Sequence, residues 1–258
     1  IDIRYSSLSV SGYGSKISYN RSYSSGGSLF VVCGTATLTD RASIYSSTAG
    51  YNGGAVFLAG GTFNLINDAY VTGNHAADFG GGVDSYHSTM HIQDAMISNN
   101  TANNGNGGGL SVRGSTSVAT IERSTIESNR ATSGFGGGVY VSDGLVDVRD
   151  SSISGNHVGD KGGGIMANNS GSVTLLNATM VANAATGDGG ALNFYQAVGT
   201  TYAKIANSII AGNFSQTNKL YLNDGSASFS ATGTAIGSET DSTYSITLAD
   251  VDADGDDR

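Results

Sequence analysis

Two adjacent glycines followed by a small residue and then an aliphatic one recur along this chain at an almost fixed interval. The copies are Gly26-Gly27-Ser28-Leu29, Gly53-Gly54-Ala55-Val56, Gly80-Gly81-Gly82-Val83, Gly107-Gly108-Gly109-Leu110, Gly136-Gly137-Gly138-Val139, Gly162-Gly163-Gly164-Ile165 and Gly189-Gly190-Ala191-Leu192. Their closing aliphatic residues stand 27, 27, 27, 29, 26 and 27 residues apart. A constant period of this length marks a solenoid, in which each unit buries its apolar side only by stacking on its neighbours.

Further columns run in register with the glycines. Ile44, Val71, Ile97, Ile126, Ile153, Met180 and Ile210 each precede by three residues a file made of Ser47 and then Asn74, Asn100, Asn129, Asn156, Asn183 and Asn213. Two residues before each of those apolar positions stands a small one: Ala42, Ala69, Ala95, Ser124, Ser151, Ala178 and Ser208. One residue earlier is a polar column, Arg41, Asp68, Asp94, Arg123, Asp150, Asn177 and Asn207, whose signs pair Arg41 with Asp68 and set Arg123 between Asp94 and Asp150. Between these markers, stretches such as Leu145-Val146-Asp147-Val148 alternate with period two, the mark of short strands with one buried face.

The reading is therefore all-β: a single-stranded, right-handed parallel β-helix over residues 1–240, with about eight coils of ~27 residues. Stacked aliphatic residues fill the interior, and the asparagine file bonds along the stack and to the turns. Asparagine is expected to take up left-handed backbone there. The opening segment Ile1-Asp2-Ile3-Arg4 resembles Val146-Asp147-Val148-Arg149, which places a coil at the first residue in that register. Cys33, in the apolar run of residues 29–33, reads as a small buried hydrophobe. Residues 229–237 read as one degenerate coil, and residues 241–258 as an acidic tail or linker.

Composition narrows the function classes. A formal net charge of -9 with only 12 Lys and Arg leaves no basic stripe and argues against nucleic acid as a partner. No apolar run reaches the ~20 residues that span a bilayer as a helix. The chain opens on strand-like sequence without a leader-like segment, so the expectation is a processed piece of a longer exported protein.

These residues resemble a known group. The GGA[I/L/V] form of Gly53-Gly54-Ala55-Val56 and Gly189-Gly190-Ala191-Leu192 is similar to the repeats of chlamydial polymorphic outer membrane proteins. Their companion motif has Phe three residues before Asn, where this chain has Ile, Val or Met. Ile153-Ser154-Gly155-Asn156, Gly162-Gly163-Gly164-Ile165 and Ile209-Ile210-Ala211-Gly212-Asn213 resemble the wider group of bacterial secreted right-handed β-helix proteins. The resemblance implies an extracellular or cell-surface location and an adhesive or structural role. Fold alone does not decide function.

Parallel β-helices also carry polysaccharide lyases and glycoside hydrolases, which need a base beside a cation or a pair of carboxylates across the scissile bond. The densest candidate ligand-binding cluster is Asp84, Tyr86, His87, His91, Arg113 and Tyr140, with Asp84 and Tyr140 in one outward column alongside Phe30, Phe57, Ser111, Met166 and Asn193. Tyrosines on such a face stack on sugar rings, although exposed aromatics are also ordinary on β surfaces. The tail holds the one metal motif: Asp250, Asp252, Asp254 and Asp256, with Gly255, match the opening of an EF-hand-type Ca²⁺ loop without its closing glutamate. The expected function is a non-enzymatic structural or adhesive β-helix, self-associating through exposed coil ends into fibres and meeting a glycan or host-surface ligand. A polysaccharide-active enzyme or a carbohydrate-binding β-helix is the alternative.

Overall fold

The structure, a computed structural model, describes residues 1–195 and 201–214, together with the backbone of 219–220 and 234–235. Each coil contributes four strands of characteristic length, as in Leu29–Val32, Thr35–Thr39, Ser43–Tyr45 and Thr48–Ala49. Within the coils each inner strand pairs in parallel with its counterparts one coil before and one coil after, and Lys219–Leu220 pairs antiparallel with Thr234–Ala235 apart from these sheets. The first three sheets so formed have eight strands each and the fourth, of two-residue strands, has seven. The result is an all-β parallel solenoid of about eight coils. Among the described residues no helix is long and apolar enough to cross a membrane.

Alternation within each strand sends every second residue inward, and the exact register stacks like on like. Leu29, Val56, Val83, Leu110, Val139 and Ile165 form one file, and Ile44, Val71, Ile97, Ile126 and Ile153 form another, all fully buried. Each such side chain contributes about 1.5–3 kcal/mol relative to exposure. The small column fills the corner between the second and third sheets. Where it carries serine, the hydroxyl accepts a backbone N–H from the coil before, as Ser124 does from Ala95 (3.1 Å) and Ser151 from Ser124 (3.0 Å).

The asparagine file is continuous and buried from Asn74 to Asn213. From Asn100 to Asn183 each amide makes the same set of bonds. Asn129 Oδ1 accepts the backbone N–H of Asn100 and its Nδ2, both at 3.0 Å. Its Nδ2 donates to the Ile97 carbonyl and to Asn156 Oδ1, again at 3.0 Å. The turn between the third and fourth sheets thus closes inside the rod with its backbone groups satisfied, as burial requires. The asparagines themselves are not left-handed. That conformation falls on the residue before them, at Ser46, Gly73, Asn99, Ser128, Gly155, Ala182 and Gly212, with φ between 51° and 63°.

Both members of the glycine pair are dictated by space. The first, such as Gly107 at φ 75°, turns the chain back so that a Cβ would strike the carbonyl of Leu110. The second, such as Gly108, faces the next coil, where a Cβ would collide with the carbonyl of Gly137 and the backbone of Arg130. Only hydrogen fits in either place. The polar corner column has a conformational reason too: Arg41, Asp68, Asp94, Arg123, Asp150, Asn177 and Asn207 all have positive φ, a region that Asp and Asn tolerate best. Arg41 meets Asp68 at 3.5 Å and Arg123 meets Asp94 at 2.8 Å, whereas Asp150 accepts from Asn177 at 2.9 Å instead of from Arg123. These exposed contacts add little stability.

Several sequence expectations are corrected here. Asp2–Arg4 lies in the first sheet, opposite Phe30, Val31 and Val32, whereas Val146 and Val148 lie in the second. Period-two alternation is shared by both sheets, so likeness between the two segments did not fix the register. Cys33 is exposed, because the strand Leu29–Val32 ends just before it and a φ of 49° swings its side chain outward. The fourth sheet was not foreseen, its strands being too short to alternate. Residues 229–237 fall largely, and 241–258 wholly, outside the described residues.

Replacing Asn129 by Ala removes four hydrogen bonds and strands the Asn100 N–H inside the rod. The expected loss is about 3 kcal/mol or more in urea unfolding. Ala182→Gly, which relieves a left-handed alanine at φ 54°, should instead gain about 0.5–1 kcal/mol.

Candidate functional site

The outward side of the first sheet carries the sequence-derived cluster, and its geometry follows from the register. Asp84 stands between Phe57 and Ser111, and Tyr86 stands opposite Arg113 on the next coil. The turn that precedes each glycine pair folds back over this side: a Cβ on Gly162 would press on Met166, and one on Gly136 on Tyr140. A column that points away from the core is therefore roofed. Asp84 and Met166 are fully buried and Tyr140 is nearly so.

Under that roof Asp84 is bound by Arg113 through two bonds, Nε to Oδ1 at 3.0 Å and Nη2 to Oδ2 at 2.5 Å. The guanidinium lies 4.1 Å from the centroid of the Phe79 ring and 5.7 Å from that of Tyr86. Phe79 in turn meets Tyr140 at 6.3 Å. Burial pushes the Asp84 carboxyl above the usual carboxylate range, and the two Arg113 bonds pull it back. With both oxygens committed and no exposure, this carboxylate has no open side for a substrate. It acts as a cross-link between two coils.

The remaining candidates sit around this pair. Tyr86 is exposed and packs edge-on against His87 at 4.4 Å, while His87 Nδ1 lies 3.0 Å from Thr116 Oγ1. The His87 ring occupies the space that a Cβ on Gly114 would need. His91 is placed elsewhere, on the outer face of the second sheet, 3.0 Å from Thr120 Oγ1. The structure therefore brings Asp84, Tyr86, His87, Arg113 and Tyr140 together and sets His91 apart. Asp250, Asp252, Asp254 and Asp256 lie outside the described residues.

Two features escaped sequence reasoning. Phe79 caps the ion pair from a turn position that holds Ser25, Asn52, Asn106, Phe135, Lys161 or Asp188 in other coils, so an aromatic ring there is shared with one other coil and does not by itself mark the pair. Nearer the first coil, the half-buried rings of Phe30 and Phe57 stack at 5.3 Å and 24°, with the Arg4 guanidinium 5.4 Å from the Phe30 centroid. Arg4 is itself paired with Asp2 at 3.1 Å. A separate shallow depression runs along the corner of the second and third sheets, lined by Arg123, Thr125, Asp150, Ser152, Asn177 and Thr179.

Arg113→Met leaves Asp84 buried without a counter-charge and should cost about 3–5 kcal/mol in thermal or urea unfolding. The double change Asp84→Leu with Arg113→Met should restore most of that loss. Equal destabilisation by the double variant would show that the pair is not a replaceable cross-link.

A family model described as FG-GAP-like repeat matches residues 207–257. The match begins on the last coil, where Ile209–Ala211 continues the third sheet and Asn213 the asparagine file, and it extends across the four tail aspartates. Comparison with curated proteins and with solved structures gives no match. The repeat match and the fold both fit a repeat β-solenoid protein.

Proposed function

We propose that this chain is a non-enzymatic structural or adhesive β-solenoid acting outside the cell or at its surface. The observation that carries the reading is the fate of Asp84: the cluster's carboxylate is wholly buried and spends both oxygens on Arg113, tying coils together. Each coil is also locked to the next by the asparagine file, which favours a stiff rod that displays its outer columns. The glycine motif's likeness to polymorphic outer membrane proteins and to secreted β-helices belongs to this proposal.

A second reading, carbohydrate binding, is favoured by the Phe30–Phe57 stack with exposed Tyr86 further along the same sheet. Flat aromatic surfaces suit the apolar faces of sugar rings. The cations on this face are already paired, Arg4 with Asp2 and Arg113 with Asp84, so a neutral glycan fits better than an anionic one. Self-association remains part of the proposal: within the described residues the strands of the first coil, from Asp2–Arg4 to Arg21–Ser22, are paired on one side only. Unpaired strand edges template further pairing. Calcium binding at Asp250, Asp252, Asp254 and Asp256 is proposed as well, with support from alternating carboxylates inside the matched repeat.

Incubation with neutral and anionic polysaccharides should release no new reducing ends or unsaturated products. Turnover that disappears in His87→Ala would overturn the non-enzymatic reading. On a panel of neutral glycans, Phe57→Ala should weaken any binding about tenfold, equivalent to about 1.4 kcal/mol. Unchanged affinity would remove the aromatic stack from the reading. Titration with Ca²⁺ should give a binding heat that is lost in Asp252→Asn, and a flat titration of the unaltered chain would contradict the calcium proposal.

A further inference from the structure

We propose that Asn104 is a site of spontaneous deamidation, singled out by the fold from three Asn-Gly pairs in the coils: Asn52-Gly53, Asn104-Gly105 and Asn106-Gly107. The chemistry needs two freedoms. The asparagine side chain must swing so that its Cγ meets the following backbone nitrogen, and that nitrogen must be able to give up its proton. The glycine nitrogen then attacks Cγ and the bond to the side-chain amide breaks. Ammonia leaves with the proton, and a cyclic imide remains. Water opens the imide at either carbonyl, giving aspartate or isoaspartate, the latter with its backbone routed through the former side chain. Nothing is oxidised or reduced, and water is the sole co-reactant.

Two of the pairs are locked on both counts. Asn52 Oδ1 accepts the Phe79 N–H at 3.2 Å, while the Gly53 N–H donates to the Phe79 carbonyl at 2.8 Å. Asn106 Oδ1 accepts the Phe135 N–H at 2.7 Å, and the Gly107 N–H donates to the Phe135 carbonyl at 2.9 Å. In each, attack requires both bonds to the next coil to break.

Asn104 has neither restraint. Its side chain is exposed and makes no hydrogen bond among the described residues, and the Gly105 N–H makes none either. The turn explains why. Residues 103–106 span the distance that 77–79 span in the coil before, where Asn103 and Asn104 take up the carbonyls of Ala76 and Ala77. The extra residue is Gly105, left without a partner. A larger residue does not fit there, because a Cβ would run into the carboxylate and backbone of Asp78. Gly105 is thus buried and held in place by packing, while its N–H and the exposed Asn104 side chain carry no hydrogen bond to hold them back.

The test is to hold the full chain folded at mildly alkaline pH, sample over time, digest it, and follow each Asn-Gly peptide by mass spectrometry with isoaspartate detection. A second arm repeats this in urea. In the folded protein Asn104 should convert at least about thirtyfold faster than Asn52 or Asn106, since each of those must first break two hydrogen bonds. In urea the three rates should converge to within a few-fold. Asn104→Gln should abolish the fast isoaspartate signal. Conversion of Asn52 or Asn106 at the rate of Asn104 in the folded chain would overturn the proposal. So would a folded-state rate at Asn104 far below its rate in urea, or persistence of the fast signal in Asn104→Gln.

Discussion

A parallel solenoid must turn its chain inward at every corner, and the corner between the third and fourth sheets is solved by a buried carboxamide. Each asparagine from Asn100 to Asn183 satisfies a backbone N–H and a carbonyl of the preceding coil while bonding to the amides above and below. Remove that satisfaction and the turn would carry unpaired polar groups into an apolar rod, at a cost comparable to the burial gained from an aliphatic residue. The aliphatic files can therefore be simple and uniform, because the polar cost of the turn is met elsewhere. At the following turn, between the fourth sheet and the first, the glycine pairs let neighbouring backbones approach more closely than any side chain permits.

The parts of this design that repeat were legible in the sequence. The period, the inward aliphatic files, the asparagine column and the small corner column each recur in coil after coil, and each has a single physical cause. What repetition does not encode was harder to read. Likeness to Val146-Asp147-Val148-Arg149 reads Ile1 to Arg4 into the second sheet, whereas the segment lies in the first, because alternation is common to both. Alternation reads Cys33 as buried only when carried one residue past the end of its strand, and the side chain is exposed.

The candidate cluster illustrates a second limit. Alternation separates residues facing the core from residues facing away, and it placed Asp84 and Tyr140 correctly in one outward column. It carries no information on whether a later turn covers that column. Here the turn before each glycine pair does so, and Phe79 seals the Asp84–Arg113 pair beneath it. Asp84 is thereby a cross-link, while Tyr86 and His87 stay at the surface. The same turns differ in length by one residue between coils, and the longer turn of residues 103–106 leaves the Gly105 N–H without a hydrogen-bond partner among the described residues.

Native-state hydrogen exchange tests the central claim most directly. The backbone amides of Asn74, Asn100, Asn129 and Asn156 donate to the side-chain oxygen of the next asparagine in the file, and should exchange only with global unfolding, among the slowest in the protein. Exchange of these amides at the rate of exposed turn amides, such as that of Ser133, would contradict a rod held together by its buried amide file.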